Sequence, residues 1–109
     1  ALALDRLGGD YRFSTSLRIQ SPPNAQGVLA GDLLVVGSGD PTRCARLNGG
    51  SWEKAFAPLV AAVQARGVRR IQGNLLCDES RFRGPPYGSG WGWDDLAQYY
   101  GAAVSALTA

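Results

Sequence analysis

Between Gly90 and Leu107 the chain reads GWGWDDLAQYYGAAVSAL, with Trp91, Trp93, Asp94, Asp95, Tyr99 and Tyr100 falling inside ten positions. A loop can be built from Gly, Ser and Pro alone, so large aromatics in a Gly-bounded stretch point to a wall against which something is held. Asp94 and Asp95 are adjacent, and neighbouring carboxylates usually point apart, which disfavours a shared-proton catalytic pair. Two readings of them stand side by side. In one, Asp94 caps a short helix and Asp95 lies in its first turn. In the other, one carboxylate faces the aromatic wall and binds a cationic group. Tyr100 follows Asp95 by five residues and can border the same pocket, and a carboxylate beside aromatic faces suits an ammonium.

Nucleophilic chemistry has little to draw on. The chain contains no histidine, which excludes Ser-His-Asp and Cys-His arrangements within it. Serine chemistry without histidine uses Ser-x-x-Lys, which places the amine one helical turn from the hydroxyl. One formal match exists, Ser51-Trp52-Glu53-Lys54, built on the sole lysine. It lacks the companion Ser-x-Asn and Lys-Thr-Gly elements, and Ser51 already has a structural use as a helix cap. Gly37-Ser38-Gly39 and Gly88-Ser89-Gly90-Trp91-Gly92 complete neither a dinucleotide nor a Walker pattern and read as turns. Cys44 and Cys77 are 33 positions apart without a C-x-x-C, so no zinc site is expected, and no cofactor or metal of any other kind. They read as buried or half-buried thiols, a disulfide being an alternative only in an exported protein.

These residues need elements to hold them. Residues 2–7 read as the last turns of a helix stopped by Gly8–Gly9. Tyr11, Phe13, Thr15, Leu17 and Ile19 alternate with polar residues through Gln20, a period-two strand. SPPNAQG turns the chain into a second strand, VLAGDLLVVGSG, whose continuously apolar later half predicts burial on both faces; Gly31–Asp32 predicts a bulge or bend within it. Gly39-Asp40-Pro41-Thr42 is a turn, and residues 43–50 form a loose loop. Ser51 caps an amphipathic helix carrying Phe56, Leu59, Val60 and Val63 and ending near Arg66–Gly67. VRRIQGNLLCD supplies a third strand and closes a strand–helix–strand unit. Residues 82–93 are Gly/Pro-rich loop, and Asp94–Tyr100 a short helix or turn.

The 109 residues allow one domain at most. Net charge is +2, and ten of the eleven cations are arginines scattered along the chain; Arg69–Arg70 reads as a solvated strand start. No basic run with interleaved aromatics marks a nucleic-acid surface, and no apolar stretch reaches a membrane span. No signal peptide is seen. Both ends read as interrupted elements, ALALDRLGGD as the tail of a helix and AAVSALTA as a stretch without a closing element.

Four segments in order, LGGDYRFSTSL, GVLAGDLLVVGSGDPT, GVRRIQGNLLCDESRF and GWGWDDLAQYYGAAVSAL, resemble the class C penicillin-binding proteins, the penicillin-binding protein 4-like D-alanyl-D-alanine carboxypeptidases and endopeptidases. Gly9 and Ala103 replace prolines common in that family, and Thr108 replaces an Asn. The resemblance implies a fragment lying between the first and second catalytic motifs, with Ser-x-x-Lys upstream and Ser-x-Asn and Lys-Thr-Gly downstream. The chain then holds no catalytic residue, and Ser51/Lys54 is a decoy.

The implied fold is α+β, a small sheet with one main packed helix, part of the insertion in a penicillin-recognising enzyme. Residues 1–9 would end a helix of the catalytic domain, 10–82 would form the inserted domain, and 83–109 would return to the catalytic domain. The implied substrate is peptidoglycan stem peptide, cleaved through an acyl-enzyme in a periplasmic or extracytoplasmic, cell-wall-associated setting. Beta-lactams would acylate the same serine. Asp95 and Tyr100 match the family's pocket for the free end of the diamino acid side chain. Two alternatives are compatible with the same residues: a non-enzymatic module holding peptidoglycan on Trp91, Trp93 and Tyr100, and a family member that has lost its motifs.

Overall fold

Two nine-residue segments, 28–36 and 70–78, dictate the architecture. In the computed structural model, which describes residues 1–107, they run parallel in one constant register. Val28 pairs with Arg70 and Leu29 with Ile71; Leu33 through Val36 pair with Leu75 through Asp78. The ladder breaks between these stretches, so each segment yields two strands: β2 (Val28–Leu29) and β3 (Leu33–Val36) from the first, β4 (Arg70–Ile71) and β5 (Leu75–Asp78) from the second. The bend expected at Gly31–Asp32 is therefore a full passage from one sheet to another. Its counterpart is Gly73–Asn74. Asp32 Oδ1 accepts the Asn74 backbone N–H at 2.7 Å and its side-chain amide at 3.2 Å. A Cβ on Gly73 would lie 2.5 Å from the Gly31 carbonyl, so only glycine lets the two corners meet this closely.

β1 (Ser16–Ile19), preceded by the short helix α1 (Leu2–Leu7), lies antiparallel on the other side of β3. The three-stranded sheet runs β1-β3-β5, and β2-β4 form a two-stranded sheet. β1 is shorter than the alternation from Tyr11 implies, because its partner turns away after Val36. Beyond that point the Ser14 N–H is met by the Ser38 hydroxyl at 2.9 Å, and Tyr11 and Phe13 pack edge-on against each other. The turn before β2 is held by Asn24, whose Oδ1 accepts the N–H groups of Gln26 and Val28, a side chain standing in for backbone.

α2 (Trp52–Ala65) connects the parallel segments, preceded by a 3-10 turn (Ala45–Asn48) within the stretch read as loose loop. Ser51 caps α2 by accepting the Lys54 N–H at 3.2 Å, leaving one fewer unpaired donor in the first turn. The fold is α+β, with a small sheet and one main helix. The core is Leu29, Leu33 and Val68, with Leu17, Ile19, Val63 and Ile71 packed against it. In β3 only Leu33 is buried; Leu34, Val35 and Val36 are half-buried, so the two-faced burial expected of this strand is incomplete. Of the two thiols, Cys44 is half-buried and Cys77 is exposed, and both are free. The exposure of Cys77 corrects the expectation of burial: it sits on β5, an edge strand with little cover.

The accessible surface is 8381 Å², against roughly 5800 Å² from the size scaling of folded chains of this mass. The radius of gyration is 16.8 Å, against about 13 Å for a compact chain of this length. Thr108, noted above as a departure from the family pattern, lies outside the described residues.

Candidate functional site

The aromatic–acidic stretch folds into two short turns. α3 (Trp93–Leu96) is followed by a 3-10 turn, Tyr99–Gly101. The cap of α3 is Gly92, not Asp94. Gly92 carries no side-chain acceptor, and the closure comes from the other direction: Asp95, at the third helical position, accepts the Gly92 N–H on Oδ2 at 2.9 Å. That contact is the carboxylate half of a capping box. It fixes which carboxylate turns inward. Asp95 is half-buried while Asp94 is exposed.

The second oxygen of Asp95 meets the other expected site residue. The Tyr100 hydroxyl donates to Oδ1 at 3.3 Å, a long bond by the usual O–H···O standard. Tyr100 stacks on Trp91 with ring centroids 5.7 Å apart and planes at 30°. Tyr99 packs edge-on against Tyr100 at 5.5 Å. Trp93, expected in the same wall, stands apart from the stack and is 90% exposed. The wall is therefore Trp91, Tyr100 and Tyr99, with the Asp95 carboxylate at its edge. A carboxylate has about four lone-pair positions, and two hydrogen bonds leave acceptor capacity for a cation.

One glycine makes this packing possible. Gly101 is buried directly against the end of α3, where an added Cβ would collide with the Asp95 carbonyl oxygen. Gly88 lies under the Trp91 ring, and its carbonyl accepts the Trp91 N–H at 3.1 Å. The chain then returns across the preceding loop, where the Val104 N–H reaches the Pro86 carbonyl at 2.8 Å. Further on, Ala106 accepts the Gly39 N–H at 2.8 Å, docking this segment on the turn after β3. Nothing in the sequence marks Gly101 as the contact that holds Tyr100 against Asp95.

Ser51 is placed otherwise. Its hydroxyl accepts the Lys54 backbone N–H and donates to Glu53 Oε2 at 2.7 Å. That hydrogen bond holds the Glu53 carboxyl below its ordinary range. The group serves the helix start, as its sequence context implies.

No helix among the described residues is long and apolar enough to cross a membrane. Residues 1–109 match the family model described as the D-Ala-D-Ala carboxypeptidase 3 (S13) family. The D-alanyl-D-alanine carboxypeptidase of Actinomadura sp. (strain R39) is 35% identical over 108 residues, 99% of this chain and 18% of that protein. The D-alanyl-D-alanine carboxypeptidase DacB of Haemophilus influenzae is 31% identical over 105 residues, 96% of this chain and 19% of its own length. The crystal structure of penicillin binding protein 4 (dacB) from Haemophilus influenzae superposes with a TM-score of 0.71 at 30% identity, covering 95% of this chain and 21% of that one. The chain thus spans about a fifth of the length of the relatives it matches.

Proposed function

This chain belongs to the D-Ala-D-Ala carboxypeptidase 3 (S13) family, and from that membership we propose that it is the substrate-side-chain-reading part of a serine D-Ala-D-Ala carboxypeptidase or endopeptidase. In the full-length protein a serine outside this chain attacks the D-Ala-D-Ala amide, a lysine takes its proton, terminal D-alanine leaves, and water hydrolyses the acyl-enzyme. Beta-lactams acylate the same serine. Because stem peptides lie outside the cytoplasm, the protein works in the periplasm or at the cell wall. Residues 1–9 and the stretch from residue 83 onward belong with the catalytic domain, and residues 10–82 form the insertion.

The observation that carries the side-chain role is the half-buried Asp95 carboxylate, fixed by the Gly92 N–H and the Tyr100 hydroxyl beside the Trp91–Tyr100 stack. An ammonium on the stem-peptide side chain gains a charge-assisted hydrogen bond there and an aromatic face alongside. Asp95 selects substrate and takes no part in bond breaking. The stand-alone binding module fits less well, because a chain with this much excess surface is poorly built to fold alone.

The test is Asp95→Asn in the full-length protein, assayed on paired substrates. A charged hydrogen bond is worth roughly 1.5–3 kcal/mol. The variant should therefore lose about 10- to 100-fold in kcat/KM on peptides with a free side-chain amine, while simple D-Ala-D-Ala peptides are cleaved as before. Equal loss on both substrates removes Asp95 from the recognition role.

A further inference from the structure

Gly37-Ser38-Gly39 reads as a plain turn in the sequence, yet in the fold separate stretches of chain converge on it. The entering stretch meets it at Ser38, whose hydroxyl accepts the Ser14 N–H at 2.9 Å. The end of β5 meets it at Gly37, whose N–H reaches the Asp78 carbonyl at 3.0 Å. The exit loop follows at once, with the Phe82 ring lying directly on Gly39. The returning stretch meets it through the Gly39 N–H, which donates to the Ala106 carbonyl at 2.8 Å. Ser38 and Ala106 are both buried.

Space at this junction is exhausted. A Cβ on Gly37 would collide with the Ala106 carbonyl oxygen and lie 2.5 Å from Leu107 Cγ; one on Gly39 would collide with the Phe82 ring. Gly39 also has a φ of 81°, whereas Gly37 has no positive φ. At Gly37 the missing side chain therefore serves only the close approach of the returning stretch. That stretch carries Asp95 and Tyr100. Between Gly101, buried against α3, and Ala106, residues 102–105 contain neither helix nor turn. Ala102 is extended, and the Val104 N–H is tied to Pro86. A fully extended chain spans at most about 3.6 Å per residue, so a shift imposed at Ala106 finds little slack before it reaches Gly101.

We propose that Gly37 is a positioning residue for substrate selection: by admitting Ala106 and Leu107 it fixes the seat of Gly101 beneath Asp95, and through it the fit of the Asp95–Tyr100 pair to an amine-bearing side chain. This role rests on the reading of Asp95 given above and takes no part in bond breaking.

Gly37→Ala, Ser38→Ala and Asp95→Asn are made in the full-length protein and assayed on two substrates, a D-Ala-D-Ala peptide with a free side-chain amine and one without. The new methyl of Gly37→Ala must push Leu107 away by about 1 Å to reach a comfortable carbon contact. A misplacement of that size weakens one binding contact, so Gly37→Ala should lose about 3- to 10-fold in kcat/KM on the amine-bearing peptide, through KM, and match the parent on the simple one. Ser38→Ala leaves the returning stretch alone and strands the Ser14 N–H. It should lower the denaturant midpoint while keeping the parent's ratio between substrates. Equal losses on both substrates in both variants make the junction merely structural and overturn the proposal. Parent selectivity in Gly37→Ala, with selectivity lost in Asp95→Asn, overturns the role of Gly37 and leaves Asp95 standing. Selectivity lost in Gly37→Ala but kept in Asp95→Asn upholds the junction and removes Asp95; selectivity kept in both overturns both. If Gly37→Ala does not fold, as judged by beta-lactam labelling, Leu107→Ala takes its place, because it empties the contact with Gly37 instead of overfilling it. A smaller loss confined to the amine-bearing peptide then supports the proposal, and parent selectivity overturns it.

Discussion

Gly101→Ala is the sharpest probe of how the Asp95–Tyr100 pair is held. Gly101 has no positive φ, so alanine meets no conformational penalty of its own and the effect is steric. The new methyl would collide with the Asp95 carbonyl oxygen, and it would lie 2.7 Å from the carbonyl carbon and 3.1 Å from Leu96 Cα. These are backbone atoms at the end of a helix and cannot rotate aside. Carbon contacts are comfortable only from about 3.5 Å, so the 3-10 turn must move off α3 by about 1 Å. Overpacking of this kind costs about 1–3 kcal/mol. The same displacement carries the Tyr100 hydroxyl, already 3.3 Å from Asp95, beyond hydrogen-bonding range and slides its ring along Trp91. Gly90→Ala is the matched control, because nothing lies within 4 Å of its added methyl and its φ is not positive. Both variants are made in the full-length protein and compared by near-UV circular dichroism, which reads the Trp91–Tyr100 stack, and by denaturant midpoint. Gly101→Ala should lose aromatic signal and shift to lower denaturant, whereas Gly90→Ala should match the parent. If the two variants behave alike, the packing of Tyr100 through Gly101 is wrong.

Ser51→Ala should cost about 0.5–2 kcal/mol through loss of the helix cap and leave beta-lactam labelling of the full-length protein intact; loss of labelling would restore Ser51 as a nucleophile. Acid should act through Asp40 and Asp78. Burial pushes the Asp40 carboxyl up, but the Thr42 hydroxyl and N–H together with Arg43 outweigh it, leaving its value below 3.8. The Ser80 hydrogen bonds, with a contribution from Arg18, lower Asp78 in the same direction. Both groups bind a proton less readily folded than unfolded, so their stabilisation is complete above the unfolded value near 4 and disappears as pH falls through the lower folded values. Asp40→Asn should flatten the decline in melting temperature below pH 4, and an unchanged slope would count against the assignment.

The sequence makes the strand–helix–strand unit legible because its periodicities are strong and Ser51 is a good cap. It does not disclose register. That Leu33 faces Leu75 depends on residues far apart in the chain, and the two Gly-Asx corners become meaningful only when Gly73 is found against Gly31. At the site, residue types suggest a carboxylate beside Tyr100, and only the family resemblance implies that it is Asp95. Asp94 is the stronger cap by propensity, yet Gly92 takes that position because the Asp95 carboxylate can reach back to its N–H from three residues ahead. That choice turns Asp95 toward the aromatics and leaves Asp94 in solvent, a geometric consequence that residue preferences alone do not contain.

The constant register between the two parallel segments also sets an order of assembly. Pairing β1 with β3 closes a loop of 14 residues at Ile19–Leu33, whereas pairing β3 with β5 closes one of 42 residues at Leu33–Leu75. With logarithmic scaling, (3/2)RT ln(42/14) makes the longer closure about 1 kcal/mol more costly in entropy. The antiparallel pair should therefore form early, and β5 should join only after α2 has shortened the path. Truncating Leu17 should then slow folding, whereas truncating Leu75 should leave the folding rate nearly unchanged and accelerate unfolding. The edge strand β5 is thus the last to arrive, and until it docks the hydrogen-bonding groups of β3 remain open to pairing with another chain.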